Sequence, residues 1–302
     1  MIKIIPALGM LMAVILPAQE GPGLIRKNVY AGPRELAGAS KTPGVLRRIL
    51  LGDKGQEDRW VRPMSAASSD DFRFVCDPGV PAFWVISKAD KKVFQSAPPG
   101  GWKGPVDLAV GGGFCYVSDA DAGSVWSYEI RTRAWARVPG EFRRPTGLGW
   151  AASRNTLLIV DTGAQSLYGW DGKALAMIAR EGLNFPTDAA ELDAGTIAVA
   201  DSMNHEIGFW NWKGERVGGF GSAGDGLGRF AFIRSVAVDA HGRIFVSDVQ
   251  KDWIQVFNRD GQLLTAYGGP GVLHHPSYLA FDNTGLWVAD AFAGRIVELT
   301  WK

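Results

Sequence analysis

The chain has 302 residues, 46% hydrophobic and 21% charged, with a formal net charge of +1 at pH 7. Its Arg pairs, Arg47-Arg48 and Arg143-Arg144, fall short of the clustered basic surface that nucleic-acid binding needs, so no nucleic-acid partner is expected. Cys76 and Cys115 are the two cysteines, and they form neither a Cys/His zinc spacing nor a Cys-x-x-Cys-His haem attachment.

In chain order, Lys3 followed by the apolar run Ile4 to Leu16 reads as a signal peptide over residues 1–19, with cleavage placed after Ala18. The apolar run is too short to span a bilayer comfortably, so no transmembrane span is expected after cleavage, and the product is expected to be exported: periplasmic, envelope-associated or extracellular. Removing Lys3 takes the formal charge from +1 to 0. Residues 20–44, rich in Gly, Pro and charge, read as a flexible leader. Residues 45–302 read as one domain.

Within that domain one pattern recurs. A short apolar strand ends in an aspartate at Asp77, Asp119, Asp161, Asp201, Asp248 and Asp290, at intervals of 42, 42, 40, 47 and 42 residues. In step with it, Pro63, Pro105, Pro145, Pro186, Ile233 and Pro276 precede the first strand of each copy. Three residues before each of these stands Trp60, Trp102, Phe142, Leu183, Phe230 or Leu273, apolar in every copy. The long interval falls at the Gly-rich insert 218–228. Four strands in a period near 42 predict an all-β, six-bladed β-propeller with blades starting at about 63, 105, 145, 186, 233 and 276. The last copy is one strand short, and Val45–Gly52 is expected to complete it and close the ring.

The motif Phe230-x-x-Ile233-x-Ser-Val-Ala-Val-Asp239-x-x-Gly-Arg-Ile-Phe-Val-Ser-Asp248 resembles the NHL repeat. So does Pro276-Ser-Tyr-Leu-Ala-Phe-Asp282 with Gly-Leu-Trp-Val-Ala-Asp290. The resemblance spans about residues 45–302. It implies a six-bladed propeller and says little about function, because NHL propellers include binding scaffolds, sensors and a few enzymes.

The six aspartates are read as structural anchors that accept hydrogen bonds from turn N–H groups, not as a metal ring. Related lyases place metal-binding or catalytic histidines directly after the repeat proline. Here those positions hold Met64, Val106, Thr146, Thr187, Arg234 and Ser277. Gluconolactonase-like propellers hold a divalent cation at the channel mouth. The channel-mouth and loop candidates here are Asp107, Asp188, Asn204, His205, Arg234 and Tyr278, with Asp107 and Asp188 two residues after the proline in copies two and four. A Ca2+ or similar cation there is the alternative to an expected absence of cofactors. Cys76 and Cys115 sit three steps apart along neighbouring strands and are expected to be buried free thiols. Trp210 and Trp212 share one face of a strand, which suits packing between blades better than an exposed aromatic patch.

These features favour a non-enzymatic scaffold, a monomer that offers loops on a rigid frame to a protein, peptide or glycan of the cell envelope. The alternative is a metal-dependent lactonase, hydrolase or lyase with its cation in the channel.

Overall fold

The computed structural model describes residues 23–38 and 59–302. They form six four-stranded antiparallel sheets, and in each the strands lie in sequence order from the inside outwards, save at the ring's junction. The first strands are Ser65–Ser68, Pro105–Gly111, Pro145–Ala151, Pro186–Asp193, Ile233–Val238 and Pro276–Asp282, here taken as blades I to VI. Every second strand ends at a repeat aspartate, from Phe72–Asp77 in blade I to Gly285–Asp290 in blade VI. The protein is therefore a six-bladed β-propeller.

Alternation explains the packing. A strand in a propeller blade buries both faces against neighbouring blades, so its sequence is apolar on both sides: Thr156–Asp161, TLLIVD, is buried at all six positions. Six apolar clusters fill the six gaps between blades, and each contains one of the residues three before the repeat proline position. Trp60, Phe142, Leu183, Phe230 and Leu273 are fully buried there, and Trp102 is half-buried. Trp210 is buried in the gap between blades III and IV, and Trp212 packs against the same cluster beneath the Arg154 guanidinium. Cys76 and Cys115 are free and buried in the cluster between blades I and II. Burial pushes both thiols up, which keeps them unreactive.

An N-terminal strand closes the ring, as expected, but a different stretch of the chain supplies it. The outer strand of blade VI is Leu24–Tyr30, antiparallel to Arg295–Trp301. This strand falls within the stretch read as a leader. Val45–Gly52, expected in that place, lies outside the described residues. Leu24–Tyr30 is polar and exposed along most of its length, as an outermost strand can be, so it lacks the apolar signature that singled out 45–52. Polar chemistry fixes it instead. Glu298, buried on the final strand, accepts hydrogen bonds from Lys27 Nζ at 2.8 Å, Asn28 Nδ2 at 2.7 Å and Tyr30 Oη at 3.0 Å. A bulge between Arg26 and Asn28 brings these neighbouring residues to one carboxylate. The chain then turns through the short helix Pro33–Leu36 onto blade I, where Arg73 Nη1 donates to the Leu36 carbonyl and stacks on Trp287.

Burial pushes the Glu298 carboxyl up, but the bonds from Asn28 and Lys27 outweigh it and leave it below the ordinary glutamate value. The sign for stability follows. The contribution is complete above the unfolded value of 4.5 and is lost as pH falls through the lower folded value. Glu298→Ala should cost about 1–3 kcal/mol at pH 7, since it removes the shared acceptor. Thermal unfolding should show the wild type losing its advantage over the variant as the pH is taken below 4.5. A constant gap at all pH values would show that packing, not the carboxylate, holds the closing strand.

Candidate functional site at the channel mouth

The repeat aspartates build the site indirectly. Each one staples the residues that precede its own blade's first strand. Asp77 accepts from the Val61 and Arg62 N–H groups, Asp119 from Lys103 and Gly104, Asp161 from Arg143 and Arg144, and Asp248 from Ala231 and Phe232. Most also accept from the turn that follows, as at Gly79, Ala122 and Ala164. The turn role read from sequence is thus half of the function; the other half fixes the residue just before each first strand. Those residues are Arg62, Gly104, Arg144, Phe185, Phe232 and His275, and they rim one mouth of the channel.

Blades IV and VI break the pattern. There only the earlier N–H, of Asn184 or His274, reaches the aspartate. Phe185 and His275 instead take left-handed backbone, with φ of 66° and 63°. Bulky residues rarely occupy that region, and such strain gathers at functional sites. The His275 N–H is satisfied from the neighbouring blade, by Asp252 Oδ1 at 2.7 Å.

Just inside the rim, five of the six first strands are bulged, at Pro105/Asp107, Pro145/Gly147, Pro186/Asp188, Ile233/Ser235 and Pro276/Leu279. A bulge re-aims the extra side chain, and here Val106, Thr146, Thr187 and Arg234 join Met64 and Tyr278 in the wall. The cavity at this mouth has a volume of about 320 Å³. Three arginines from alternate blades, Arg62, Arg144 and Arg234, stand in it against one aspartate, Asp121. Asp121 pairs with Arg144 at 3.3 Å in a contact where both side chains are more than half exposed, so it is weak. Arg234 lies over the Phe232 ring, and its buried Nε has no hydrogen-bond partner. Phe185 meets Phe232 edge-on, and His275 stacks on Phe292 with centroids 4.1 Å apart.

The sequence candidates divide accordingly. Arg234 and Tyr278 line the cavity. Asn204 does not: its side chain bonds to Asp201 and to the Gly182 carbonyl, closing the loop of blade IV. His205 lies in the same turn, away from the cavity, at a φ of 53°. Asp107 and Asp188 lie deeper, in a ring of bonds between first strands. Asp107 Oδ2 accepts from the Leu148 N–H of the next blade at 2.7 Å. Asp188 accepts from Ser235 Oγ and the Val236 N–H of its next blade, and from its own neighbour Ala189. Ser235 Oγ in turn accepts from Leu279 N–H. Gly147 occupies the same place in blade III, where a Cβ would come within 2.5 Å of Thr187 O and Asp188 Cα. Asp188 also borders a second cavity of about 250 Å³ at the opposite end of the channel.

Both carboxyls are raised, Asp107 by burial and then by the charge of Asp188, Asp188 by burial against its hydrogen bonds. No three His, Cys, Asp or Glu side chains gather as a ligand set among the described residues. The arginines and aromatic rings of the rim were missed in the sequence. The signal was there, in the position just before each repeat proline, but Arg143-Arg144 was weighed only against the basic cluster that nucleic-acid binding needs.

No protein-family model matches the chain, and no curated protein matches it. Solved structures share its fold. A Bacteroides thetaiotaomicron structural-genomics protein of unknown function aligns with a TM-score of 0.66 at 17% identity, covering 81% of this chain and 70% of that one. An auxiliary nutrient binding protein from the same organism aligns at 0.64 and 10%, covering 80% and 69%. A catalytically inactive virginiamycin B lyase from Staphylococcus aureus with quinupristin aligns at 0.64 and 11%, covering 79% and 94%. At such identities the likeness establishes the propeller architecture.

Burial and then the Arg234 charge push the His275 imidazole down to about 4. It is therefore neutral at pH 7 and stacks on Phe292 without adding charge to the mouth. Because the folded value lies below the unfolded 6.5, its neutral packing stabilises fully above 6.5 and is lost progressively towards 4. Proton NMR of the His275 ring should give a midpoint near 4 in the wild type, rising in Arg234→Gln. A midpoint at or above 6.5 would mean that the ring is solvated and the stack does not persist.

Proposed function

We propose that this chain is an exported NHL-repeat propeller that acts as a non-enzymatic binding scaffold, and that the arginine-and-aromatic mouth is its binding site. The observation that carries this is the composition of the mouth: five of the six rim positions, Arg62, Arg144, Phe185, Phe232 and His275, together with Arg234 just inside, present guanidinium groups and flat rings around one concave cavity. That is the chemistry of recognition on a rigid frame. The cavity accepts one residue of a peptide or one sugar of a glycan rather than a globular domain. A propeller neighbour described as an auxiliary nutrient binding protein supports a binding role. Lys3 and the apolar run behind it support export to the cell envelope. No described helix is long and apolar enough to cross a membrane.

The alternative reading, a divalent cation held by Asp107 and Asp188, has less support. Both carboxylates already accept backbone N–H groups, and no third His, Cys, Asp or Glu joins them as a ligand set among the described residues. Catalysis would also require acid–base or nucleophilic groups at the mouth, and His275 is committed to a stack.

The experiment is a screen of defined peptide and glycan arrays with the mature chain and with Val106→Trp, which fills the cavity from its wall. Ligands bound by the wild type, lost at least tenfold in Val106→Trp and recovered chemically unchanged are the expected result. Ligands that bind both proteins equally would move the site elsewhere. Ligands recovered cleaved would turn the reading to an enzyme.

A further inference from the structure

The mouth carries more positive charge than its own structure uses. Arg295, elsewhere in the ring, donates to the Asp290 carboxylate and to the Val272 carbonyl. Arg243 is held by Asp239 at 2.6 Å and lies on Trp301 at 3.8 Å. Among the described residues, Arg62 and Arg234 have no such acidic partner, although both face the cavity. Arg234 is half-buried, and its Nε is shielded from water with nothing to donate to. A buried donor left unmatched costs stability, so a fold tolerates it where a ligand supplies the acceptor. The nearest acids do not answer the need. Asp121 pairs with Arg144, Asp252 accepts from His275, and Asp107 and Asp188 are held by strand N–H groups below. Beside Arg234 stand two ring pairs, Phe185 with Phe232 and His275 with Phe292.

Resting on the binding reading above, we infer that the mouth takes a small carboxylate attached to a flat or ring-shaped body. The carboxylate would receive Arg234 Nε and the guanidinium of Arg62 or Arg144, because a planar guanidinium matches a carboxylate in a two-point fork. The body would lie against the ring pairs, where Phe292 is 55% exposed and open to contact. A neutral His275 adds a stacking surface without competing for the anion. A volume of about 320 Å³ sits at the small end of ligand pockets, which fits one acidic unit. Two sources carry this chemistry: an aromatic amino-acid carboxylate, as at a peptide C-terminus, and a uronic acid of an acidic glycan.

Calorimetric titration separates them. N-acetylphenylalanine and trigalacturonate are the acid probes; N-acetylphenylalaninamide and the trigalacturonate methyl ester are their uncharged twins. The expected result is binding of one acid, at least tenfold weaker binding of its twin, and at least a tenfold loss in Arg234→Gln. Which acid binds identifies the source. Arg62→Gln, on an exposed rim position, serves as a second variant that leaves the core untouched, and it should weaken binding and flatten its salt dependence. Thermal unfolding of both variants checks that the fold is intact. Equal binding of acid and twin, or binding of neither acid, overturns the inference. In that event a neutral ligand still lost in Val106→Trp would leave the scaffold reading standing.

Discussion

Ring closure is the constraint on which the rest of this molecule depends. A propeller blade cannot bury its own faces, so every blade relies on two neighbours, and the ring is stable only if the last blade meets the first. Here that junction is made by one strand from near the start of the chain, Leu24–Tyr30, and one from its end, Arg295–Trp301. The contact is polar where most of the interior is apolar. Three donors, on Lys27, Asn28 and Tyr30, converge on Glu298, and the strand and the helix after it deliver Tyr30 and Leu36 to the apolar gap between blades VI and I. Closure sets the radius of the channel, and hence how far apart the six inner strands stand.

Given that radius, the inner strands are tied to one another by side chains that reach across blades. Ser118 Oγ donates to the Thr146 carbonyl and accepts from the Asp107 N–H; Ser247 Oγ repeats this between Ser277 and Ser235. Asp107, Asp188 and Ser235 complete the tie one step deeper. Where blade III has no side chain at that step, Gly147 lets Asp188 and Thr187 approach closely, and Asp188 satisfies Ala189 itself. Buried polar groups at this depth are costly unless paired, which is why these carboxylates and hydroxyls are tied from blade to blade. Against these ties, Arg234 Nε and Tyr278 Oη stand at the mouth without a partner.

Most of the fold was legible because repetition is a strong signal. Aspartate, proline and plug residue recur in step, and each has one mechanical reason to do so. The closing strand was not legible, because an outer strand needs no apolar face, and LIRKNVY reads like a linker without its partner Glu298 in view. The site was half legible. Arg234 and Tyr278 follow from counting after the proline, since bulges turn those positions inward. Arg62, Arg144, Phe185 and His275 precede the proline, where single-sequence reasoning sees only a connector of varied composition. Their variety is itself the clue. The residues that carry the frame repeat from blade to blade, and those that face a ligand need not.

That contrast bears on function. A ring of six equivalent positions is symmetrical in backbone and asymmetrical in side chains, so its mouth can be specialised without disturbing the frame. Blades I, III and V supply arginines spaced around the mouth, while blades IV, V and VI supply the rings at the step before the first strand, which gathers the rings on one side, beside Arg234. The two strained backbones, at Phe185 and His275, lie on the aromatic side. A left-handed conformation at a bulky residue is unfavourable on its own, and the stapling aspartate forgoes one N–H in each of these blades to permit it. The frame thus gives up local stability in two of the three places where it sets an aromatic ring at the mouth, and it keeps its full staple in blades I, II, III and V. Such a distribution of strain is what a preorganised binding surface requires, because rings already ordered before the ligand arrives lose little entropy when it binds.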